Sequence, residues 1–416
     1  MKLLKNSKQL FAFFIKNNCI SHSHQTNKTT DIISDLYDEI LEAYHYLLNI
    51  KKNRGEKFYN ISIKKIESTS QIPKPKNFNS NSFPEKVRQY IDELTNSEIT
   101  YTFSLFDRNI KLHFIEEESN VEHKIETYNK YVDSIIIWIY ILNKFGSKKC
   151  SSIFTVYFYF TSLKKQLPKT NIDILDQIHV NTAFTTTCPN DSEIVVFRRE
   201  EWFKVFIHET FHNFALDFSD MNNDECTKQI LNIFPVKSEV NLYESYTEFW
   251  AEIINTLFCS FLSLKNKNNI DEFLETSEQF INLERAHSFF QLAKTLDFMG
   301  LEYTDLYSNT QQGTISRNTF YKEKTNVLSY YVIKTILINN YQQFLLWCKT
   351  NNFSLLQFKK TLTNQREFCN FIQKTYKNKS MLENVKSSKN CLMNIKKNKK
   401  NEYLLNNMKM SICELG

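Results

Sequence analysis

The spacing of apolar residues predicts a chain with more helix than strand. Apolar side chains recur every three or four positions over residues 31–52, which is the period of one helix face. The same period predicts helices at residues 85–94, 123–145, 271–296, 326–348 and 354–376. Prolines among Asn and Ser at residues 70–84 indicate a loop or linker between the first two helices.

Alternating or continuous runs of β-branched and aromatic residues predict strands in the first half of the chain. These runs cover residues 99–106, 110–115, 153–161, 178–185 and 193–197. Strands before and helices after indicate an α+β fold with a mostly helical C-terminal part. We expect an N-terminal helical region with a linker at 1–95, a core at 96–265, a helical subdomain at 266–376 and a basic flexible tail at 377–416.

Residues 202–218 are predicted to form a helix that is apolar nearly all round and therefore buried. The helix contains His208, Glu209 and His212 in the pattern His-Glu-x-x-His. Two imidazoles four positions apart lie one above the other on a helix, so both can bind one metal ion. Buried imidazoles beside a buried carboxylate need such a partner.

A second apolar helix, which begins near Asn241, has a single acidic stripe. Between Asn241 and Leu264 the only charged residues are Glu244, Glu248 and Glu252, spaced by four. Four-residue spacing places all three carboxylates on one face. Because unpaired carboxylates in a core are costly, we expect this face to point at the histidines and their metal.

Composition excludes several other classes of protein. The chain has 416 residues, 42% of them hydrophobic and 24% charged, as in ordinary globular proteins. Its five glycines form no phosphate-binding loop or nucleophile elbow. Its nine cysteines include no C-x-x-C pair, so no disulfide framework is expected and a reducing compartment fits best. The longest apolar run, residues 135–142, is too short to span a bilayer.

The net charge of +6 resides in the last part of the chain. Residues 374–416 have 10 Lys and 3 acids, or +7, which leaves −1 for the remainder. No nucleic-acid partner is therefore expected for the folded body. The apolar patch at residues 10–15 is shorter than a secretory core, so we expect an intracellular protein that is not secreted through a signal peptide.

The two motifs together resemble those of gluzincin zinc peptidases. His208-Glu209-x-x-His212 is followed by Glu248-x-x-Ala251-Glu252, a pair of motifs similar to those of lethal-factor-type peptidases and of putative zinc peptidases predicted in large DNA viruses. The resemblance covers roughly residues 150–335. It implies a zincin-like core, Zn²⁺ as cofactor, a peptide or protein substrate, and a location in host cytoplasm or virion.

The resemblance also implies roles for individual residues. His208, His212 and Glu248 would be the ligands and Glu209 the general base, with Glu252 and Glu244 as supporting carboxylates. In a competing register Glu244 is the ligand and Glu248 its supporter, and geometry alone permits both registers. The resemblance favours Glu248 because a small residue, Ala251, follows it three positions later.

Further residues are assigned by the same resemblance. The segment Asn181, Thr182, Ala183 and Phe184 resembles the edge strand that pairs with an extended peptide substrate, although an internal strand without substrate is an open alternative. Tyr330, from the pair Tyr330-Tyr331, is the first candidate for stabilising the oxyanion, and His287 is another.

These observations predict a zinc peptidase in which Glu209 takes a proton from water and returns it to the leaving amine. An endopeptidase is favoured because the Gly-x-Met-Glu-Asn signature of one aminopeptidase family is missing. Two alternatives are open. One is a catalytically inactive zincin-fold binding or virion structural protein, and the other is a helical protein without metal. The sequence leaves the oligomeric state unknown.

Overall fold

A computed structural model of the chain, which describes residues 3–397 and 401–416, contains one mixed sheet of six strands. The strands are β1 (Asn60–Lys65), β2 (Ser97–Leu105), β3 (Arg108–Glu116), β4 (Ile153–Tyr159), β5 (Ala183–Thr185) and β6 (Asp191–Val196). Their order is β1-β2-β3-β4-β6-β5. Strands β3, β4 and β6 run parallel, whereas β1, β2 and β5 are antiparallel to their neighbours. The short strand β5 is therefore a free edge.

Fifteen α-helices surround and follow the sheet within the described residues. They are α1 (Lys5–Asn17), α2 (Asn27–Arg54), α3 (Glu85–Leu94), α4 (Ile125–Phe145), α5 (Gln177–Val180), α6 (Trp202–Asn213), α7 (Asp224–Ile233), α8 (Leu242–Ser263), α9 (Ile270–Met299), α10 (Gln311–Phe320), α11 (Lys334–Asn339), α12 (Tyr341–Asn351), α13 (Leu362–Thr375), α14 (Lys379–Lys397) and α15 (Glu402–Asn406). The predicted α+β class with a helical C-terminal part is confirmed.

The two apolar helices lie at the centre of the molecule. Helix α6 contacts β5 and β6 on one side and α8 on the other, and α8 also contacts α9 and α11. Nearly every side chain of α6 and α8 is buried, as their mostly apolar sequences predict. One buried apolar cluster contains residues from all four predicted regions of the chain. No described helix has the length and apolarity needed to cross a membrane.

Several elements differ from the sequence prediction. The predicted strand at 178–185 begins as helix α5, because the Asp176 side chain caps its first turn, and only Ala183–Thr185 pairs with β6. The predicted helix at 202–218 ends at Asn213. The interval between α6 and α8, predicted to be irregular, contains α7. The predicted helix at 326–348 consists of the π-helical segment Leu328–Ile333, α11 and α12, with a break at Asn340.

The predicted flexible tail is instead mostly ordered structure. Helix α14 contacts α9 through an apolar face that includes Met381, Leu392 and Ile395, and its lysines lie mainly on the opposite face. Residues 408–413 are buried in the interior. Lysine-rich composition indicated disorder, but an apolar stripe at helical spacing is sufficient for docking. Residues 398–400 of the predicted tail lie outside the described residues.

Disulfide bonds join two pairs of cysteines, where the sequence predicted no disulfide framework. Cys19 is bonded to Cys391, 372 positions away, and Cys150 to Cys188, 38 positions away. Cysteine spacing along the chain indicates local motifs only. It contains no information about residues that tertiary folding brings together.

Candidate metal centre

Helix α6 brings the two predicted histidines to one point. His208 and His212 are one helical turn apart, and their Nε2 atoms lie 3.2 Å from each other. A hydrogen bond fixes the helix between the two histidines: the indole nitrogen of Trp138 on α4 donates to the Thr210 hydroxyl over 2.8 Å. Both imidazoles are buried, so their orientation is set by packing and by polar partners.

Glu244, in the first turn of α8, completes a group of three side chains that could hold a metal ion. Its Oε2 atom lies 3.1 Å from His208 Nε2 and 3.6 Å from His212 Nε2. Ligands at about 2.0–2.1 Å around a tetrahedral Zn²⁺ are separated by about 3.3 Å from one another. The three observed separations are close to that value, so these residues fit a tetrahedral zinc ion.

A carboxylate holds the other nitrogen of each histidine. Glu248 Oε2 lies 2.9 Å from His208 Nδ1, and the Asp217 carboxylate is hydrogen-bonded to His212 Nδ1. With a metal bound, such contacts would hold the proton on Nδ1 and leave Nε2 to bind the ion. Asp217 is itself fixed, since its oxygens accept hydrogen bonds from Ser219 and from the Thr247 hydroxyl.

The geometry corresponds to the second of the two predicted registers. Glu248 contacts His208 Nδ1 rather than the converging Nε2 atoms, and it also pairs with Lys204 Nζ at 2.6 Å. Glu252, expected beside a ligand histidine, instead pairs with Lys334 at 2.7 Å. Each four-residue step moves a side chain about 6 Å along a helix. Only one glutamate of the stripe can therefore be level with both Nε2 atoms, and that residue is Glu244.

Sequence reasoning missed two residues of the centre. On a continuous helix Asp217 would point away from His212, but α6 ends at Asn213 and Ala215 has a left-handed φ of 57°, which turns the chain back. Lys204 lies one turn before His208 and is the only lysine or arginine on α6. The sequence did contain a signal for Lys204 and Asp217. Each is a single charged residue between apolar neighbours, and a charge that is buried needs a partner.

Opposite charges around the centre shift the pKa values of its groups. Burial alone would lower the pKa of His212, but Asp217 and Glu244 raise it well above its ordinary value. Burial would raise the pKa of Glu244, but His212 and His208 hold it well below its usual range. Burial raises the pKa of Glu209, and the charges of His208, His212 and Lys204 offset only part of that rise. Among the four carboxyls around the histidines, only Glu209 has a raised pKa, whereas the pKa values of Asp217, Glu244 and Glu248 are lowered. Glu209 is therefore the one most ready to accept a proton.

Glu209 lines a small cavity of about 30 Å³ beside the free edge of the sheet. Asn181, Thr182 and Ala183 line this cavity together with His208 and Glu209. The fourth residue of the predicted substrate strand does not line it, because the ring of Phe184 packs on Phe83 at 5.3 Å. Side chains alternate between the two faces of a strand, which separates Ala183 from Phe184.

Tyr330 is the candidate oxyanion donor that reaches the centre. Its hydroxyl donates a hydrogen bond to Glu244 Oε2 over 2.9 Å, and it lines the same cavity. It lies on the π-helical segment, a local change of helical register that often occurs at functional sites. Tyr331 donates to the Met408 carbonyl instead. His287, the other candidate, is buried against Phe14 and does not line the cavity.

Searches of protein-family models, curated proteins and solved structures find no match to this chain. A functional interpretation therefore depends on the chemistry of the centre and its cavity.

Proposed function

We propose that the protein is a zinc-dependent peptidase of the gluzincin type. The observation that supports this proposal most strongly is the spacing of His208 Nε2, His212 Nε2 and Glu244 Oε2, which suits a tetrahedral metal ion. A fourth position would be left for water or substrate, as catalytic zinc sites require. Glu244 replaces Glu248 as the proposed third ligand, and Glu248 and Asp217 orient the two histidines.

Bound Zn²⁺ would supply Lewis acidity, which makes water nucleophilic at neutral pH and polarises a carbonyl group. Glu209 takes the proton from the attacking water and returns it to the leaving amine. Tyr330 donates its hydroxyl proton in a hydrogen bond to the oxygen of the carbonyl under attack. The buried surroundings of the centre exclude bulk water and strengthen these interactions.

The proposed substrate is an extended peptide that adds a strand to the free edge of β5. Main-chain pairing of this kind binds peptides regardless of most side chains. The cavity beside Asn181, Thr182 and Ala183, of about 30 Å³, has room for water, and the peptide would lie along the edge strand outside it. We propose endopeptidase action. The predicted intracellular or virion location remains a prediction.

Replacing Glu209 with Gln tests the mechanism. Peptide hydrolysis should fall at least about 100-fold, because general acid–base catalysis is lost. Zinc content should stay near one ion per chain, because the ligands are retained. Hydrolysis is measured on a library of quenched fluorescent peptides and zinc by elemental analysis, with the exposed substitution Glu85→Gln as the matched control. A variant that still cleaves would refute Glu209 as the base. Wild-type protein that binds zinc but cleaves nothing would favour the inactive zincin-fold alternative.

A further inference from the structure

Eight of the nine cysteines lie in four pairs. Two pairs are the disulfides Cys19–Cys391 and Cys150–Cys188. Cys226 and Cys369 lie on two contacting helices with their thiols adjacent, and Cys259 and Cys413 line one cavity with theirs adjacent. The ninth, Cys348, is buried and contacts Trp250 and Asn352.

Cysteine is often buried as a small apolar residue, but burial alone would not bring eight cysteines together in four pairs. A buried residue touches about 6–12 others, so with nine cysteines in 416 residues roughly one chance pair is expected. The two thiol pairs are separated along the chain by 369 − 226 = 143 and 413 − 259 = 154 positions. Their proximity is thus a property of the tertiary fold, as it is for the bonded pairs.

Polar contacts fix the backbone on both sides of Cys226 and Cys369. Cys226 lies on α7 and Cys369 on α13, and these two helices are in contact. Glu225, next to Cys226, forms an ion pair at 2.9 Å with Arg366, one turn before Cys369. Gln365 donates a hydrogen bond of 3.0 Å to Asn223. These contacts hold the two helices together at the level of the thiols.

Cys413 is held against α8 at the level of Cys259. Asn255, one turn before Cys259, donates a hydrogen bond of 2.8 Å to the Cys413 carbonyl. The Cys413 amide donates to Glu284 over 2.8 Å. Because both backbone groups of Cys413 are engaged, its side chain has little freedom and faces Cys259.

We propose that Cys226–Cys369 and Cys259–Cys413 are two further disulfide sites, which close as the chain folds in the presence of a small-molecule disulfide oxidant. Each thiol pair gives up two protons and two electrons and forms one S–S bond. The oxidant loses its S–S bond, takes up those protons and electrons, and leaves as two thiols. Closure accompanies folding because all four sulfur atoms belong to buried residues of the finished structure.

The Cys259–Cys413 bond has a consequence for the catalytic cavity. Met410, three residues before Cys413, lines that cavity, and α8 also carries Glu244 and Glu248. The bond would join a wall of the cavity covalently to the helix that supplies the metal-binding carboxylate. A protein with four disulfides also suits an oxidising environment, in contrast to the reducing compartment expected from the sequence.

Thiol counting tests the proposal without any assay of peptidase activity. The full chain is reduced and unfolded, refolded with oxidised glutathione, and titrated with a thiol reagent in denaturant. We expect one thiol per chain, from Cys348. Five thiols would overturn both new bonds, and three would overturn one of them. Disulfide-linked peptides from a digest of the non-reduced protein must join 226 to 369 and 259 to 413, and any other partner contradicts the assignment.

Serine substitutions provide matched controls. Oxidised Cys259→Ser should have two thiols, because Cys413 loses its partner, and the double variant Cys259→Ser, Cys413→Ser should return to one. Cys348→Ser should have none. A thiol count that falls in Cys259→Ser, instead of rising by one, would show that Cys413 is not bonded to Cys259. The digest of the wild-type protein decides the pairing even if a variant fails to fold.

Discussion

The ligand set of the candidate centre depends on the position of single residues along α8. Glu244, Glu248 and Glu252 share one helix face, but each meets a different partner. Glu244 is level with the two Nε2 atoms, Glu248 lies between His208 and Lys204, and Glu252 pairs with Lys334. One turn of helix thus separates the proposed metal ligand from the residue that would orient a ligand histidine.

Glu244→Gln and Glu248→Gln should affect zinc binding to different degrees. We expect Glu248→Gln to lower the affinity for zinc about 10–100-fold, which is the usual effect of removing a partner of a ligand histidine. Glu244→Gln should weaken it further, because a charged ligand is lost. Competition with a chromogenic chelator measures both constants. The two variants have the same change of shape and charge, so each controls for the other. The reverse order would restore Glu248 as the ligand.

His287 should make the protein sensitive to mild acid. It is fully buried, and neither ring nitrogen has a hydrogen-bond partner within the described part of the chain. Burial and nearby lysines, Lys334 and Lys294 foremost, hold its pKa well below 6.5 in the folded state. The unfolded chain therefore binds the proton more readily. The stability that depends on neutral His287 is present above pH 6.5 and is lost as pH falls below it, by about 1.4 kcal/mol per pH unit.

Urea denaturation at pH 7.5, 6.0 and 5.0 measures this dependence. His287→Phe should remove the part of the acid dependence that begins near pH 6.5. Wild type and variant share every carboxylate, so carboxylate titration cancels in the comparison. If the free energy of unfolding fell equally in the two proteins between pH 7.5 and 6.0, the acid dependence would not come from His287.

At the scale of secondary-structure elements, the edge strand β5 would determine how the proposed peptide substrate binds. The Phe197 amide donates to the Thr182 carbonyl over 2.8 Å, so Thr182 is hydrogen-bonded to its neighbour across the ladder. Hydrogen-bonded residues alternate along an antiparallel pair. The N–H and C=O groups of Ala183 therefore point to the free edge, where a substrate strand would pair with them.

Ala183→Pro should lower kcat/KM at least about 10-fold without loss of zinc, because one main-chain hydrogen bond to the substrate is removed. Proline is tolerated at an edge position whose N–H faces outward, so the fold should be retained. Ala183→Gly keeps the N–H group and is the control, with near wild-type activity expected. Unchanged kcat/KM in Ala183→Pro would show that substrate does not pair with β5.

Elements with a strong period were predicted well, and elements decided by their neighbours were not. Helices α2, α4, α8 and α9 and strands β2, β3 and β4 lie close to the predicted positions because their apolar spacing is long and regular. Helix α5 and the break at Asn340 were not predicted. Their boundaries depend on a capping side chain and on packing against other elements, which the apolar period does not describe.

At the scale of the whole molecule, residues 408–413 run through the interior beside α6 and α9. Two buried carboxylates bind their main chain. Glu201, which precedes α6, accepts from the amides of Met410 and Ser411, and Glu284 on α9 accepts from those of Ile412 and Cys413. Lys165 neutralises Glu201 at 2.5 Å. Residues 408–413 are thus an integral part of the core around the cavity beside Glu209.

Glu284→Ala should lower the free energy of unfolding by at least about 3 kcal/mol, because two buried amides and the Ser411 hydroxyl lose their acceptor. Guanidinium denaturation followed by fluorescence measures the change. Glu275→Ala, on the exposed face of the same helix, should change the free energy by no more than about 0.5 kcal/mol. Similar effects of the two substitutions would show that the interior position of residues 408–413 contributes little to stability.

The sequence by itself determined that His208 and His212 share a helix face, that Glu209 lies between them, and that a second buried helix has an acidic stripe. These are short-range properties, since helix period and burial follow from neighbouring residues. Only the tertiary structure decided that Glu244 meets the histidines, that Asp217 returns to His212, and which cysteines pair. Those outcomes depend on how far one packed element is shifted and rotated against another, which no local pattern specifies.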